Sequence, residues 1–171
     1  VSVVAANLIA VIYAVIFCVP VIYIFCRLNG NPFVTESWTM LLAGVTILLM
    51  IPIHEGLHGI TWGALAPSGL KAIEFGIMKD SGTPYCYCGE ALSRGSYILG
   101  SFMPCLVIGI IPAILAILLN SRFLLFVAVF DFMGAGGDLT IIIKMLAYKA
   151  KGKNTVIMDH PTECGFIVFE K

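Results

Sequence analysis

The sequence predicts an all-α membrane protein. Four transmembrane helices are expected, with a short membrane-surface β-hairpin between spans 2 and 3 and a small C-terminal hairpin. Three observations predict this. Hydrophobic residues make up 60% of the 171 positions and charged residues 12%, with a mean hydropathy of +1.01. A soluble domain is about 45–50% apolar and about a quarter charged. Long apolar runs recur, each near the ~20 residues that a helix needs to cross a bilayer. Between and after them lie short stretches with the two-residue period of a strand. The chain reads as one integral membrane domain over residues 1–171. Its formal net charge is zero, so composition makes no case for nucleic acid as a partner. Residue 1 is Val, so the sequence reads as trimmed at its start and a signal peptide is not argued either way.

The first span is expected over about residues 3–25, without a charge. Arg27-Leu28-Asn29-Gly30-Asn31-Pro32 ends it in a polar turn rich in helix breakers. The second covers about 39–65 and stops near Pro67-Ser68-Gly69. Trp38 and Trp62 read as its interfacial anchors. Pro52 removes the helical bond to the Leu48 carbonyl and should bend the span. Gly56, Gly59 and Gly63 form a small-residue stripe against which another helix can pack closely. The third span, about 96–119, carries Pro104 and Pro112 as expected kinks. Asn120-Ser121-Arg122 then makes a tight turn. The fourth, about 123–148, contains Asp131, the run Gly134-Ala135-Gly136-Gly137-Asp138, and Lys144.

The segment over about 71–90 differs in kind. Ile73 to Met78 reads as a strand, Lys79 to Pro84 as a turn, and Tyr85-Cys86-Tyr87-Cys88 as the returning strand. Its candidate substrate-edge residues are Ile73, Phe75, Ile77, Tyr85 and Tyr87, since an open hairpin edge can pair with an extended peptide. A connecting loop with incidental alternation is an equal reading. In the tail, 149–171, Thr155 to Met158 and Phe166 to Phe169 flank the turn Asp159-His160-Pro161-Thr162-Glu163-Cys164-Gly165. Asp159 and His160 read there as turn residues. The six cysteines include no C-x-x-C pair and read as free thiols.

Charge sets the expected orientation. The 66–95 loop and the tail share a side that holds Lys71, Lys79, Arg94, Lys144, Lys149, Lys151, Lys153 and Lys171; Arg27 and Arg122 lie on the other. Basic loops stay inside, so both termini and the middle loop are expected in the cytoplasm.

The second span contains His54-Glu55-Gly56-Leu57-His58, an H-E-x-x-H pattern. On a helix, residues four apart share one face. Two imidazoles so placed can bind one Zn²⁺, with Glu55 acting on the metal-bound water. Ionisable groups inside a bilayer cost roughly 2.5 kcal/mol or more each, so three together need a reason. The bland reading is a polar helix face satisfied by its neighbours. Cys86 and Cys88 lack the usual ligand spacing for zinc.

A catalytic zinc takes three protein ligands and leaves one position open. Spans 1 and 3 offer no carboxylate; span 4 offers Asp131 and Asp138. His54 and Asp138 each lie about 15 residues into their spans, roughly 22 Å along a helix axis, and Asp131 lies about 10 Å further out. The expected metal ligands are therefore His54, His58 and Asp138, with Glu55 as the catalytic base and Asp131 the alternative third ligand.

These residues resemble the site-2 protease group of intramembrane zinc metalloproteases, through His54-Glu55-Gly56-Leu57-His58 on one span and Asp138 after a glycine run on a later one. The short size and Asp159-His160-Pro161 look more like a related family of small membrane zincin peptidases, over roughly Leu42 to the C-terminus. The resemblance implies a zinc-dependent endopeptidase acting through a metal-activated water on a membrane protein or peptide. Carried over residue by residue, it implies His54, His58 and Asp138 as ligands and Glu55 as base. The site-2 pattern has glycine straight after the aspartate, where this chain has Leu139. The alternative is a non-catalytic membrane protein that uses the metal for structure, transport or assembly. A transporter would more naturally show an internal repeat, and a structural site has no use for Glu55. Substrate identity and oligomeric state are not encoded in any motif of the chain.

Overall fold

The computed structural model describes residues 3–33, 37–78, 82–149, 155–160 and 165–170. Residues 79–81 of the expected hairpin turn, Lys151, Lys153, residues 161–164 of the tail turn (with Cys164) and Lys171 lie outside them, as do the side chains of Asn7 and Trp38. The chain runs α1 (Val3–Asn29), α2 (Ser37–Leu65), a 3₁₀ turn (Gly69–Ala72), β1 (Ile73–Ile77), β2 (Pro84–Cys88) and β3 (Leu92–Ser93). It continues with α3 (Arg94–Pro104), a π-helical turn (Cys105–Ile110), α4 (Ile111–Leu118), α5 (Arg122–Gly134), α6 (Gly136–Ala147), β4 (Thr155–Asp159) and β5 (Phe166–Glu170).

Among the described residues, three helical stretches are long and apolar enough to cross a membrane: Val11–Asn29, Leu41–Leu65 and Arg94–Leu118. Large apolar side chains such as Val11, Val15, Val19, Leu41, Val45 and Leu48 are exposed on the first two. A helix that is apolar all round and yet uncovered suits a lipid environment. The expected fourth span is not one straight helix. It is the pair α5 and α6, bent by 55°, which counts as a span only if the two are taken together.

Contacts divide the chain into two units, Val1–Ile51 with Pro104–Thr140, and Pro52–Met103 with Ile141–Lys171. In the first unit α1 packs against α4 and α5. Phe25, Ala116 and Leu125 are buried together, with Val21, Ile117, Leu124 and Val129 around them. Phe17 stacks on Phe132 with ring centroids 5.3 Å apart. The Asn29 side-chain amide donates to the Ile117 carbonyl at 3.1 Å. Asn120 turns the chain with a φ of 52°, a left-handed conformation that asparagine tolerates better than most residues. Ser121 then caps α5, its hydroxyl accepting from the Leu124 N–H at 3.3 Å. Pro104 does not break its helix. The ladder widens into the π-turn directly after it. The break between α5 and α6 falls in the glycine run, where the Ala135 N–H still bonds the Asp131 carbonyl at 2.8 Å.

The second unit is built on a core of Trp62, Ala72, Cys88, Leu92, Tyr97, Met145 and Ile157. Strands β1 and β2 form an antiparallel hairpin in the register Ile73↔Cys88, Phe75↔Cys86, Gly76↔Tyr85 and Ile77↔Pro84. Partners directly opposite share a face, so Ile73, Phe75 and Ile77 stand with the cysteines, and Glu74 and Gly76 with the tyrosines. The C-terminal hairpin pairs Thr155↔Glu170 through Asp159↔Phe166. It is not isolated: β3 adds to β4 through Leu92↔Ile157 and Ser93↔Val156, giving a three-stranded sheet. Because β3 leads directly into α3, the tail is tied to the start of that helix. The Arg94 guanidinium donates to the Met145 carbonyl near the end of α6, a carbonyl that also accepts from the Tyr148 N–H at 3.3 Å. The Tyr148 hydroxyl donates to Glu170 at 2.8 Å.

Three expectations are corrected here. Trp62 is not an interfacial anchor: it is 5% exposed, and its indole N–H donates to the Tyr97 carbonyl at 3.1 Å. Of the glycine stripe, Gly59 receives Phe75 and Ile73 of the hairpin and Gly63 receives Leu70, so these two admit a hairpin and a loop rather than a helix. Asp159 is no turn residue. It ends β4 as a buried carboxylate that accepts from the Tyr97 hydroxyl and, at 2.8 Å, from the Cys88 N–H. The chain needs these bonds because an ionisable group shut from water is costly unless paired.

Burial holds the Asp159 carboxyl above the ordinary carboxylate range, against the opposing pull of the Tyr97 and Cys88 donors. Its pKa is thus higher folded than unfolded. The stability it contributes is full below about pH 4 and falls as pH rises through the raised value. Asp159→Asn abolishes that titration but offers one acceptor oxygen where the carboxylate offers two to the Tyr97 and Cys88 donors, at a cost of about 1–3 kcal/mol. Thermal melts in detergent from acid to neutral pH should find the variant less stable, with the gap narrowing as pH rises. A gap that widens with pH would contradict this placement.

Candidate metal centre

Helix α2 brings His54, Glu55 and His58 together in just over one turn. At about 100° per residue, the two histidines differ by about 40° around the axis. Their ring centroids are 5.0 Å apart with planes at 77°. His58 is 4% exposed and stacks on Trp62 at 5.0 Å with planes 16° apart. Its Nδ1 lies 2.8 Å from the Gly100 carbonyl oxygen of α3. A carbonyl only accepts, so Nδ1 carries the hydrogen and Nε2 keeps a lone pair. Metal-binding histidines are commonly oriented in this way. Gly100 makes room for the pairing: a Cβ there would run into the Trp62 indole. The sequence holds a signal for Trp62, since 54, 58 and 62 recur at four-residue steps on one helix face. Gly100 and Tyr97 give none, because their contacts lie far off in sequence.

Asp138 sits half-buried in the first turn of α6, immediately after the glycine break. A carboxylate is favoured there by the helix dipole. One ligand atom from each of His54, His58 and Asp138 lies within 4.8 Å of the others. Donors sharing a tetrahedral zinc at about 2.0–2.2 Å stand about 3.3–3.6 Å apart. Two imidazoles and a carboxylate also form a donor set typical of catalytic zinc, with a coordination position left over. By this test the residues fit the metal. The group of described residues able to hold a metal does not include Asp131. That residue is 3% exposed, and a Cβ at Gly109 would stand 2.5 Å from its Oδ2, so that glycine makes room for the carboxylate. The expected equivalence of depth assumes a straight fourth span, and the 55° bend removes that premise.

Glu55 borders a cleft of about 320 Å³. Pro52 and Gly56 of α2 form one side, and Phe75, Gly76, Pro84 and Tyr85 of the hairpin the other. Two of the expected edge residues, Phe75 and Tyr85, thus border the cleft, although their side chains stand on opposite faces of the hairpin. Ile73 lies against Gly59, Ile77 is exposed, and Tyr87 is half-buried. Burial, together with the charges of Glu55, Asp159 and Cys88, pushes the Cys86 thiol up to about 12. Burial likewise raises Cys88. Protonated thiols make poor ligands, and the group of described residues able to hold a metal contains neither.

Gly100→Ala should displace Trp62 and with it the ring of His58. We expect zinc affinity, measured by competition with a chelating dye, to fall by about 10–100-fold, the usual effect of disturbing a ligand's support. Gly44→Ala, whose new Cβ meets nothing within 4 Å, should leave it unchanged.

Comparison with curated proteins and with solved structures returned no match. Residues 47–152, more than half of the chain and spanning the whole of this constellation, match the sequence model of a protein family described as "Putative zincin peptidase". The chain belongs to that family.

Proposed function

We propose that this protein is a zinc-dependent endopeptidase that cleaves membrane-associated proteins or peptides at or within the bilayer. The observation that carries the reading is the approach of His54, His58 and Asp138 to within 4.8 Å, with Glu55 beside two of them on α2. Family membership supports it independently. His54, His58 and Asp138 hold the metal. Zinc, when bound, supplies Lewis acidity, which polarises a carbonyl and lowers the pKa of a coordinated water to about 7.

The chain's own groups do the rest. Glu55 accepts a proton as a water oxygen bonds to the scissile carbonyl carbon, and returns it to the nitrogen as the C–N bond breaks. The Gly100 carbonyl keeps His58 in one tautomer. The hairpin orients the substrate. Among the described residues its sheet has two strands, and an extended peptide can add to an outer edge next to Glu55. Both termini and the 66–95 loop lie on the cytoplasmic side, as the lysine and arginine bias favours, so substrate and water enter from there. The pattern is related to that of site-2 proteases. The bilayer and a membrane protein or peptide are its partners, and nucleic acid is not one.

Glu55→Gln removes the base and keeps nearly the same shape. It should retain zinc at wild-type stoichiometry and lose cleavage of a membrane-protein mixture in vesicles by about 10²–10⁴-fold, the usual contribution of a positioned base. Stripping zinc with a chelator should abolish wild-type cleavage, and adding zinc back should restore it. Cleavage by Glu55→Gln at the wild-type rate would end the proposal.

A further inference from the structure

The three glycines on the cleft side of α2 and in β1 are not equivalent. A Cβ at Gly59 would stand 2.6 Å from the Phe75 ring, so that ring already fills the space. A Cβ at Gly76 would stand 2.5 Å from the Tyr85 ring, laid across it from the opposite strand. These two glycines seat the rings of two residues that border the cleft, one on each face of the hairpin. Gly56 lines the same cleft, and a Cβ there would meet nothing within 4 Å. The missing side chain at this position is open space, next to the residue that the proposed chemistry uses as its base. A glycine inside a helix is a poor choice for stability, since alanine is better by about 1 kcal/mol. Open room is what the position gains in return.

We infer that Gly56 is a specificity-determining residue: the cleft between Gly56, Phe75 and Tyr85 takes one bulky apolar side chain of the substrate, next to the bond being cut. The inference rests on the hydrolytic reading of Glu55. At about 320 Å³ the cleft is near the lower limit of about 300 Å³ for ligand sites, a size for a side chain rather than a folded segment. Phe75, Tyr85, Pro52 and Pro84 border it, with Glu55 at one side, so phenylalanine, leucine or methionine fits and an acidic side chain does not. Discrimination in such a pocket runs at about 10–200-fold per methylene-sized change.

The test compares wild type, Gly56→Ala and Gly56→Leu in phosphatidylcholine bicelles with zinc. Substrates are membrane-inserting peptides that vary one residue at a time through Ala, Leu and Phe, with cut sites read by mass spectrometry. Wild type should prefer Leu and Phe over Ala at one fixed position relative to the cut. Gly56→Ala should lower that preference by at least about tenfold, and Gly56→Leu should reverse it. Both variants should melt no lower than wild type, because the added atoms enter open space. A preference unchanged in both variants overturns the inference. Binding of the same peptides to zinc-loaded Glu55→Gln separates the two proposals. If wild type cuts nothing but Gly56→Leu still weakens binding of the Phe peptide relative to the Ala peptide, catalysis fails and the pocket stands. Equal binding of Ala and Phe peptides to both proteins overturns the pocket itself.

Discussion

The hydrogen bond between His58 Nδ1 and the Gly100 carbonyl fixes one imidazole at the junction of two helices. It works only because several other features cooperate. Gly100 has no side chain, so the Trp62 indole can lie against it. Trp62 in turn stacks under His58 and donates to the carbonyl of Tyr97, which precedes Gly100 by about one turn of α3. The Tyr97 hydroxyl reaches Asp159, which also holds the end of β2 at Cys88. A chain of contacts therefore runs from His58 to the C-terminal sheet. Each member is buried, so each polar atom in it must find a partner within the protein.

This arrangement ties the C-terminal segment to the candidate metal centre. Strand β4 pairs with β3, β3 starts α3, and α3 carries Gly100. The buried carboxylate at the end of β4 holds the return strand of the hairpin whose Tyr85 borders the cleft. The same unit thus holds His54, Glu55 and His58, the contacts that support His58, and the cleft beside Glu55.

Much of this is legible in the sequence, and the reasons it is legible are local. The H-E-x-x-H spacing puts two imidazoles on one helix face whatever else the chain does. Alternation in Ile73–Ile77 and Tyr85–Cys88, separated by a glycine- and proline-containing turn, yields a hairpin from short-range rules. The long uncharged runs yield helices. What sequence reasoning misses depends on distant partners. Trp62 resembles an interfacial residue because tryptophans are common there, and only its contact with Gly100, far along the chain, shows it to be a buried support. Asp159 sits among turn-forming residues, and nothing nearby reveals that Tyr97 and Cys88 bond to it. The glycine run before Asp138 suits close packing or local unwinding equally well by composition. It ends one helix and starts another at 55°, so a depth count along a single axis does not describe that span.

X-ray absorption at the zinc edge of the purified protein, reconstituted in lipid, decides whether this constellation is a metal centre. The account predicts about one zinc per chain, bound by two imidazole nitrogens at about 2.0–2.1 Å and by oxygen at about 2.0–2.2 Å, with one oxygen ligand lost in Asp138→Ala. A sulfur shell at about 2.3 Å, which would bring in Cys86 or Cys88, or a spectrum identical in Asp138→Ala, would contradict it.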